Sequence, residues 1–468
     1  MPSVPCLQTL QRELADSIIR CASLDDIRIL LACGAKVNEP VTQGLRPLHY
    51  AAYQQYKEAV NLLLVRGSDP DAMDEVGYTA LHLCAERGYI DLIYLLVKHG
   101  ARVCFTEMTA DEKSLGNPPR VSLADEPLRL AIKNSHYECA EMLLKNGADP
   151  NARYFLGAEI NLISPLNIKF LELLLRHGAD PDSRDRSGLT PLMKACRHPQ
   201  GLQAAKMLID YGADVNAMTP ERHDNRTVLH YAVLSGNLET VKLVLSRGAR
   251  VIFPSDYQKP TPLDFAILRD NVEMVKLLID AGADVNTGSP IIGCPLHIAL
   301  SEKVENKKDI TRLLLDSGAD PNAITLSEQG PLLKPPMGEY FNSVDNPEVY
   351  LLRLLLRYGA RVVVKPQLQH PLGILKTLHR LHPHQVPDVL RVVLDAAESF
   401  SIPAIRRSLI LSEEQRNLLL QHATTPIPLK HVLRLYIRQL FGIGPVLAKR
   451  IHQLPIPKFI QMYLLYDI

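Results

Sequence analysis

Three histidines, His379, His382 and His384, lie close together in a chain that offers few other residue patterns for chemistry. Imidazole nitrogens bind zinc and other transition metals, so such a cluster is a candidate metal site. The cluster itself contains no cysteine and no acidic residue that would complete a ligand set. The sequence also lacks a nucleophile elbow, a phosphate-binding loop, a dinucleotide glycine fingerprint and an HExxH motif. We therefore predict no catalytic residue, no bound metal and no cofactor.

The remaining candidate chemistry is noncovalent binding, and it is concentrated in residues 425–468. An apolar stripe runs through the start of this segment, at Leu429, Val432, Leu433, Tyr436, Ile437 and Leu440. This spacing predicts one face of a helix of about three turns. Basic residues occupy the opposite face, at Lys430, Arg434 and Arg438. Gly442 and the pair Gly444-Pro445 are expected to end this helix.

Two further elements are predicted after that helix. A second short helix can begin at Pro445, because proline suits the first helical turn. The run Leu454-Pro455-Ile456-Pro457 must interrupt helical structure, and an apolar third segment follows it. A segment of this length buries too little of its own surface to close a core over so many apolar side chains. We therefore expect the rest of the chain, or a groove on another protein, to cover part of this surface.

The part of the chain that precedes this segment, and would position it, contains a repeated sequence motif. A helix tail of the form L-L-x-x-G-A recurs, with glycines at Gly34, Gly67, Gly100, Gly147, Gly178, Gly212, Gly248, Gly282, Gly318 and Gly359. A tetrapeptide similar to T-P-L-H precedes many tails, at Arg46–His49, Thr79–His82, Thr190–Met193, Thr227–His230, Thr261–Asp264 and Cys294–His297. Phased copies at a period of about 33 residues indicate a repeat protein.

The physical chemistry of one unit explains its pattern. Proline suits the first turn of the first helix in units that carry T-P-L-H. In the unit of Thr79 and His82, the threonine can cap the helix and the histidine is placed to bond a neighbouring loop. Gly100 takes the left-handed conformation that ends the second helix. The turn that follows carries an asparagine in several units, at Asn151, Asn216, Asn286 and Asn322. No unit buries its own apolar face, so neighbours must share a core.

Together these motifs resemble ankyrin repeats. The resemblance implies an all-α solenoid of helix pairs with fingers similar to β-hairpins, and protein binding as its task. We expect a capping repeat in residues 1–34 and about ten further units in residues 35–400. Irregular stretches at 104–124, 151–170 and 326–346 are candidate binding loops. The turn asparagines resemble the asparagines that are hydroxylated in ankyrin proteins, although turn formation alone explains them.

The terminal segment resembles a SOCS box, and residues 401–424 then form a linker to it. The whole architecture resembles the ankyrin repeat and SOCS box family. The resemblance implies a non-catalytic adaptor that brings a protein substrate to elongin B, elongin C and cullin-5 with its RING-box subunit, leading to ubiquitination and proteasomal degradation. Elongin-binding residues would be Leu429, Val432, Leu433, Tyr436 and Ile437. Cullin-binding residues would be Leu454, Pro455, Ile456 and Pro457.

One position departs from the family pattern, because Leu433 stands where the family usually has cysteine. A larger side chain in that pocket costs about 1–3 kcal/mol of overpacking. We therefore expect weaker docking rather than none. Two alternatives stay open: an ankyrin scaffold with a helical cap and no ubiquitin role, and elongin binding with cullin-2 in place of cullin-5.

Composition sets the broad class of the protein. A net charge of +1 and a charged fraction of 22% argue against general binding to nucleic acid or to a membrane surface. Residues 1–20 do not read as a signal peptide, and no apolar run is long enough to span a bilayer. Eight cysteines without a CxxC pair suggest buried free thiols in a reducing compartment. We predict a cytoplasmic protein, with the nucleus as a second compartment.

Overall fold

The structure is a computed structural model. It describes residues 7–105, 125–154, 156–254, 257–289, 292–324, 326–327, 330–331 and 333–467. The chain divides into two units, Met1–Thr219 and Pro220–Ile468. Among the helices that these residues form, none is long and apolar enough to cross a membrane. The predicted helical repeat architecture is confirmed in both units.

The first unit contains helix pairs in which each helix packs against its partner and against the next pair. Its helices are α1 (Leu7–Ile19), α2 (Leu24–Ala32), α3 (Pro47–Tyr53), α4 (Lys57–Val65), α5 (Ala80–Arg87), α6 (Ile90–Lys98), α7 (Pro127–Lys133), α8 (Tyr137–Lys145), α9 (Glu159–Leu162), α10 (Ile168–Arg176), α11 (Pro191–Arg197) and α12 (Leu202–Asp210). Strands β1 (Arg153–Tyr154) and β2 (Gly157–Ala158) pair antiparallel in one finger.

The second unit continues the same pairing and ends in additional helices. Its helices are α13 (Val228–Ser235), α14 (Leu238–Ser246), α15 (Pro262–Leu268), α16 (Val272–Asp280), α17 (Pro295–Ala299), α18 (Lys307–Asp316), α19 (Pro336–Ser343), α20 (Val349–Arg357), α21 (Pro387–Ala396), α22 (Ile402–Arg407), α23 (Glu413–Thr424), α24 (Leu429–Phe441), α25 (Pro445–His452) and α26 (Lys458–Leu464). Short 3-10 helices span Glu221–His223 and Leu375–Arg380. Strands β3 (Leu326–Ser327) and β4 (Gly330–Pro331) pair antiparallel, and β5 (Val362–Val364) pairs parallel with β6 (Ala397–Phe400).

The capping chemistry predicted for one unit is confirmed. The backbone N–H of Thr79 donates to Nδ1 of His82 at 3.1 Å, and the Thr79 side chain caps α5 in return. The other ring nitrogen of such a histidine joins neighbouring repeats. In His49, Nε2 lies 3.0 Å from the carbonyl oxygen of Tyr78, and His230 and His297 make equivalent contacts. These buried histidines are therefore structural, as expected.

The turn asparagines also connect adjacent fingers, a role that the sequence pattern did not reveal. The Asn286 amide donates to the carbonyl oxygen of Gly318 at 3.1 Å, and its Oδ1 accepts from the backbone N–H of Asp320 at 2.8 Å. The same pair of contacts is made by Asn38, Asn151 and Asn322. Each such side chain therefore satisfies two backbone groups of the next repeat.

The irregular stretches differ from one another. Residues 106–124, most of the first predicted insertion, lie outside the described residues. Helix α9, which precedes α10 in the unit at 151–170, has four residues. The expectation of an irregular stretch throughout 326–346 was wrong, because α19 occupies Pro336–Ser343 as an ordinary first helix. Pro336 starts this helix from its first turn, where a missing N–H has no cost.

Two other expectations are refined by the coordinates. The segment assigned as a linker, 401–424, contains helices α22 and α23. The seven cysteines within the described residues are free thiols, but Cys21 and Cys33 are exposed rather than buried. Burial of the Cys139 thiol raises its pKa to about 11, which keeps it protonated and unreactive.

Candidate functional site

Helix α24 points its apolar stripe into solvent. Five side chains of this stripe are exposed by 46 to 74%, namely Leu429, Val432, Leu433, Tyr436 and Leu440. All of them except Leu440 are among the predicted elongin-binding residues. An amphipathic helix normally buries such a face against its own protein. This stripe is therefore available to a partner.

Two of the three basic residues predicted on the opposite face of this helix, Arg434 and Arg438, are buried, whereas Lys430 is exposed. His431, Arg434 and Arg438 are each exposed by less than a tenth. The Arg438 guanidinium donates to the carbonyl oxygens of Leu464, at 2.6 Å, and of Leu356. Burial lowers the pKa of Arg438 to about 10, a sign that desolvation of its charge is only partly offset. Two hydrogen bonds thus attach α24 to α26 and to the end of α20.

Aromatic rings complete this inward face. The Arg434 guanidinium carbon lies 3.6 Å from the ring centroid of Tyr463 and 4.3 Å from that of Tyr466. Arg438 stacks on Tyr466 as well, at 4.9 Å. Cation–π contacts of buried arginines stabilise such an arrangement. Together they fix the rotation of α24 about its own axis, and hence the direction of its stripe.

The terminal helices form a small core of their own. Leu447, Ile451, Leu464 and Leu465 are buried in this core. The half-buried apolar side chains packed against it are Ile437, Phe441, Ala448, Leu454, Ile456 and Ile460. Ile437 thus differs from the other predicted elongin-binding residues, because its side chain is shared with the internal core. The expectation that the segment could cover only part of its apolar surface agrees with this arrangement.

The predicted cullin-binding residues lie between α25 and α26. Leu454 and Ile456 are half-buried against the terminal core, whereas Pro455 and Pro457 are exposed. The side-chain amide of Gln461 donates to the carbonyl oxygens of Leu454, at 3.1 Å, and Ile456, at 3.3 Å. This contact holds the loop in one shape. The Pro-x-Pro spacing predicts the loop but does not indicate that Gln461 bonds to it.

The terminal helices dock on the last repeats through backbone contacts. The N–H of Gly444 donates to the carbonyl oxygen of Tyr358 at 2.7 Å. Gly359 has a φ of +100°, and a Cβ there would lie 3.0 Å from the Ile443 side chain. His431 Nε2 lies 3.1 Å from the carbonyl oxygen of Ala397. The helix tail glycine of the last clear repeat thus also makes room for the terminal segment.

The comparisons with known proteins concern the repeats. A sequence model described as "Ankyrin repeats (3 copies)" matches residues 18–107, 48–154, 163–255, 218–289 and 253–325, more than half of the chain. Ankyrin repeat and SOCS box protein 16 from Homo sapiens is 30% identical over 236 residues, 47% of each chain. Palmitoyltransferase ZDHHC17 from Homo sapiens is 30% identical over 44% of this chain and 30% of its own length. E3 ubiquitin-protein ligase KEG from Arabidopsis thaliana is 23% identical over 47% of this chain and 12% of its own. The chain thus spans less than half the length of these curated relatives.

Proposed function

Because the chain belongs to the ankyrin-repeat family, we propose that its repeats bind a protein substrate and that residues 425–468 are a SOCS box. In this proposal the protein is the substrate-recognition subunit of a ligase with elongin B, elongin C, cullin-5 and its RING-box subunit. It is an adaptor and not an enzyme. It acts in the cytoplasm and in the nucleus, and its substrate is directed to ubiquitination and proteasomal degradation.

The observation that carries the proposal is the outward apolar stripe of α24. Burying a large apolar side chain fully is worth about 1.5–3 kcal/mol, and the five stripe residues are already half-covered, so docking would gain roughly 4–8 kcal/mol. Association itself costs about 4–15 kcal/mol. The stripe alone therefore supports weak binding at best.

Additional contacts are needed, and the terminal segment offers them on nearby positions. Ile443, Val446 and Phe459 are exposed by 47, 48 and 65%. Pro455 and Pro457 are exposed beside Phe459, as a separate cullin contact requires. Leu433 is half-exposed at the position of the family cysteine, so its extra volume would meet the partner and not this chain.

The alternative is an ankyrin scaffold whose terminal helices only cap the last repeat. The contact between Gly444 and Tyr358 favours this reading, because it covers the end of α20. The contact between Gly444 and Tyr358 is compatible with both roles, so the exposed apolar stripe of α24 has to distinguish them. A cap needs no exposed apolar face, whereas elongin docking needs one.

Co-purification from cells tests the proposal. Elongin B, elongin C and cullin-5 should be recovered with the full chain and lost with the double substitution Leu429→Asp and Leu433→Asp. The matched control is Leu409→Asp with Ile410→Asp, at exposed positions outside the terminal segment. It should retain every partner.

A second pair of substitutions separates the two contacts. Pro455→Ala with Pro457→Ala should lose cullin-5 while retaining both elongins. Recovery of cullin-2 in place of cullin-5 would contradict the cullin assignment. Recovery of all partners with both sets of substitutions would refute the site, and recovery of none with the unaltered chain would favour the scaffold.

A further inference from the structure

A cleft of about 490 Å³ lies beside the buried face of α24. Helices α20 and α21 contribute Arg353 and Arg391 to its lining. Helix α24 contributes Lys430 and Arg434. One carboxylate, Asp395, lines the cleft together with these four permanent cations. The lining is therefore strongly positive, although the whole chain is nearly neutral.

Within the part of the chain that the structure describes, two of these cations contact an aromatic ring, because Tyr463 lies beside both Lys430 and Arg434. None of the four forms an ion pair there, and Asp395, one helical turn from Arg391, makes none either. Arg434 is 7% exposed, and its buried Nε has no hydrogen-bond partner. A buried cation without a counter-charge is costly. Cations from α20, α21 and α24 thus line one cleft, where like charges repel one another.

We propose that this cleft binds a small organic phosphate, whose anionic oxygens join the last repeats to α24. Arginine forks match phosphate oxygens with paired hydrogen bonds. The volume lies within the range of small-molecule sites. Val392, Phe400 and Ile427 add apolar and aromatic lining that suits an organic portion. The inference concerns binding alone and holds whether or not the terminal helices recruit a ligase.

Occupancy would change the stability of the terminal helices. A phosphate in the cleft would attract the cations that α20, α21 and α24 contribute to its lining, and so offset the repulsion among them. A ligand that binds the docked form more tightly than the open form shifts the population towards the docked form. The outward direction of the stripe would therefore be held more firmly when the cleft is filled.

Calorimetric titration of the full chain with inorganic tripolyphosphate and with ATP tests the proposal. Both should bind saturably, with one site, and both should raise the melting temperature above that in sodium chloride of equal ionic strength. The substitutions Arg391→Glu and Lys430→Glu lie at exposed positions, so the chain should still fold. Each should weaken binding by about tenfold or more, the loss expected for one charged contact.

The matched control is Arg406→Glu, which changes the charge as much as either cleft substitution does, at an exposed position outside the cleft. This variant should bind as the unaltered chain does. Equal weakening in the control and the cleft variants would overturn the proposal, as would the absence of saturable binding. Tighter binding of a hexaglutamate peptide, with the same sensitivity to Arg391→Glu, would overturn the ligand class. ATP binding without tripolyphosphate binding would overturn the role of the cations.

Discussion

Replacing Arg438 with methionine should release the terminal helices from the last repeat. The substitution keeps an unbranched side chain of similar length but removes the guanidinium that donates to Leu464 and Leu356. Two hydrogen bonds from a charged group are worth about 3–6 kcal/mol together, before the desolvation of the charge is subtracted. That desolvation is substantial, since burial lowers the pKa of Arg438 to about 10.

The carbonyl groups left behind decide the net effect. The Leu356 oxygen still accepts from the N–H of Gly359 at 2.9 Å, so it keeps one partner. The Leu464 oxygen loses its side-chain donor in a buried position, at a cost of about 1–3 kcal/mol. We expect a net loss of about 2 kcal/mol in the docking of the terminal helices, which increases their open population roughly 30-fold.

Hydrogen exchange measured by mass spectrometry on peptides from residues 445–467 checks this prediction. Exchange should accelerate there, while peptides from α3 to α8 remain unchanged, because the lost contacts are local. Arg450→Met is the matched control, since that exposed guanidinium donates to a single carbonyl, of Phe441, at 3.1 Å. Equal exchange in Arg438→Met, Arg450→Met and the unaltered chain would show that the inward basic face does not hold the terminal helices.

Four further predictions concern the repeats. Burial lowers the pKa values of His82 and His230 to about 4, so the unfolded chain binds more protons than the folded one between about pH 6.5 and 4. The contribution of the two neutral histidines to the free energy of unfolding is therefore complete above pH 6.5 and should decline as the pH falls below it. Equal free energies of unfolding in urea at pH 7 and at pH 5 would contradict this. Burial raises the pKa of Asp264 to about 6, and its Oδ1 has no hydrogen-bond partner. Asp264→His should therefore stabilise the fold by about 1 kcal/mol at pH 7, because a histidine here would add the contact to a carbonyl oxygen of the next repeat that His49 and His230 make. A lower urea midpoint would refute this. Asn286→Ala should cost about 1–2 kcal/mol because two backbone groups lose their partner; a urea midpoint equal to that of the unaltered chain would refute this. Hydroxylation of the turn asparagines stays a prediction, and intact mass spectra of cell-derived protein without any gain of one oxygen would count against it.

The repeat fold could be predicted because its signals are local and recur. The left-handed glycines, such as Gly100 at a φ of +87°, and the capping threonines, such as Thr79, occur in phase along the chain. Each signal acts within a few residues, and repetition removes the ambiguity of a single copy. The expectation failed for α19, because Pro335 and Pro336 break a preceding helix but also start a following one.

The orientation of α24 could not be predicted in the same way. Its sequence gives two well-separated faces, and burial of the apolar face is the usual outcome. Which face is buried depends on residues far along the chain, above all Tyr463 and Tyr466, which stack on Arg434. The carbonyl oxygen of Leu356 adds a partner from 82 residues away. A pattern read within one helix does not contain this information.

The inverted burial of α24 bears directly on the choice between a cap and an adaptor. A helix that only closes a repeat stack is most stable with its apolar stripe inward and its basic residues in water. Here Arg434 and Arg438 are removed from water, with a lowered pKa for Arg438 and an unpartnered Nε in Arg434, while Leu429 is 74% exposed. Both features reduce the stability of the isolated chain. A partner that covers the stripe would compensate the exposure of Leu429 and its neighbours, and for this reason the proposed elongin contact explains more of the structure than a cap does.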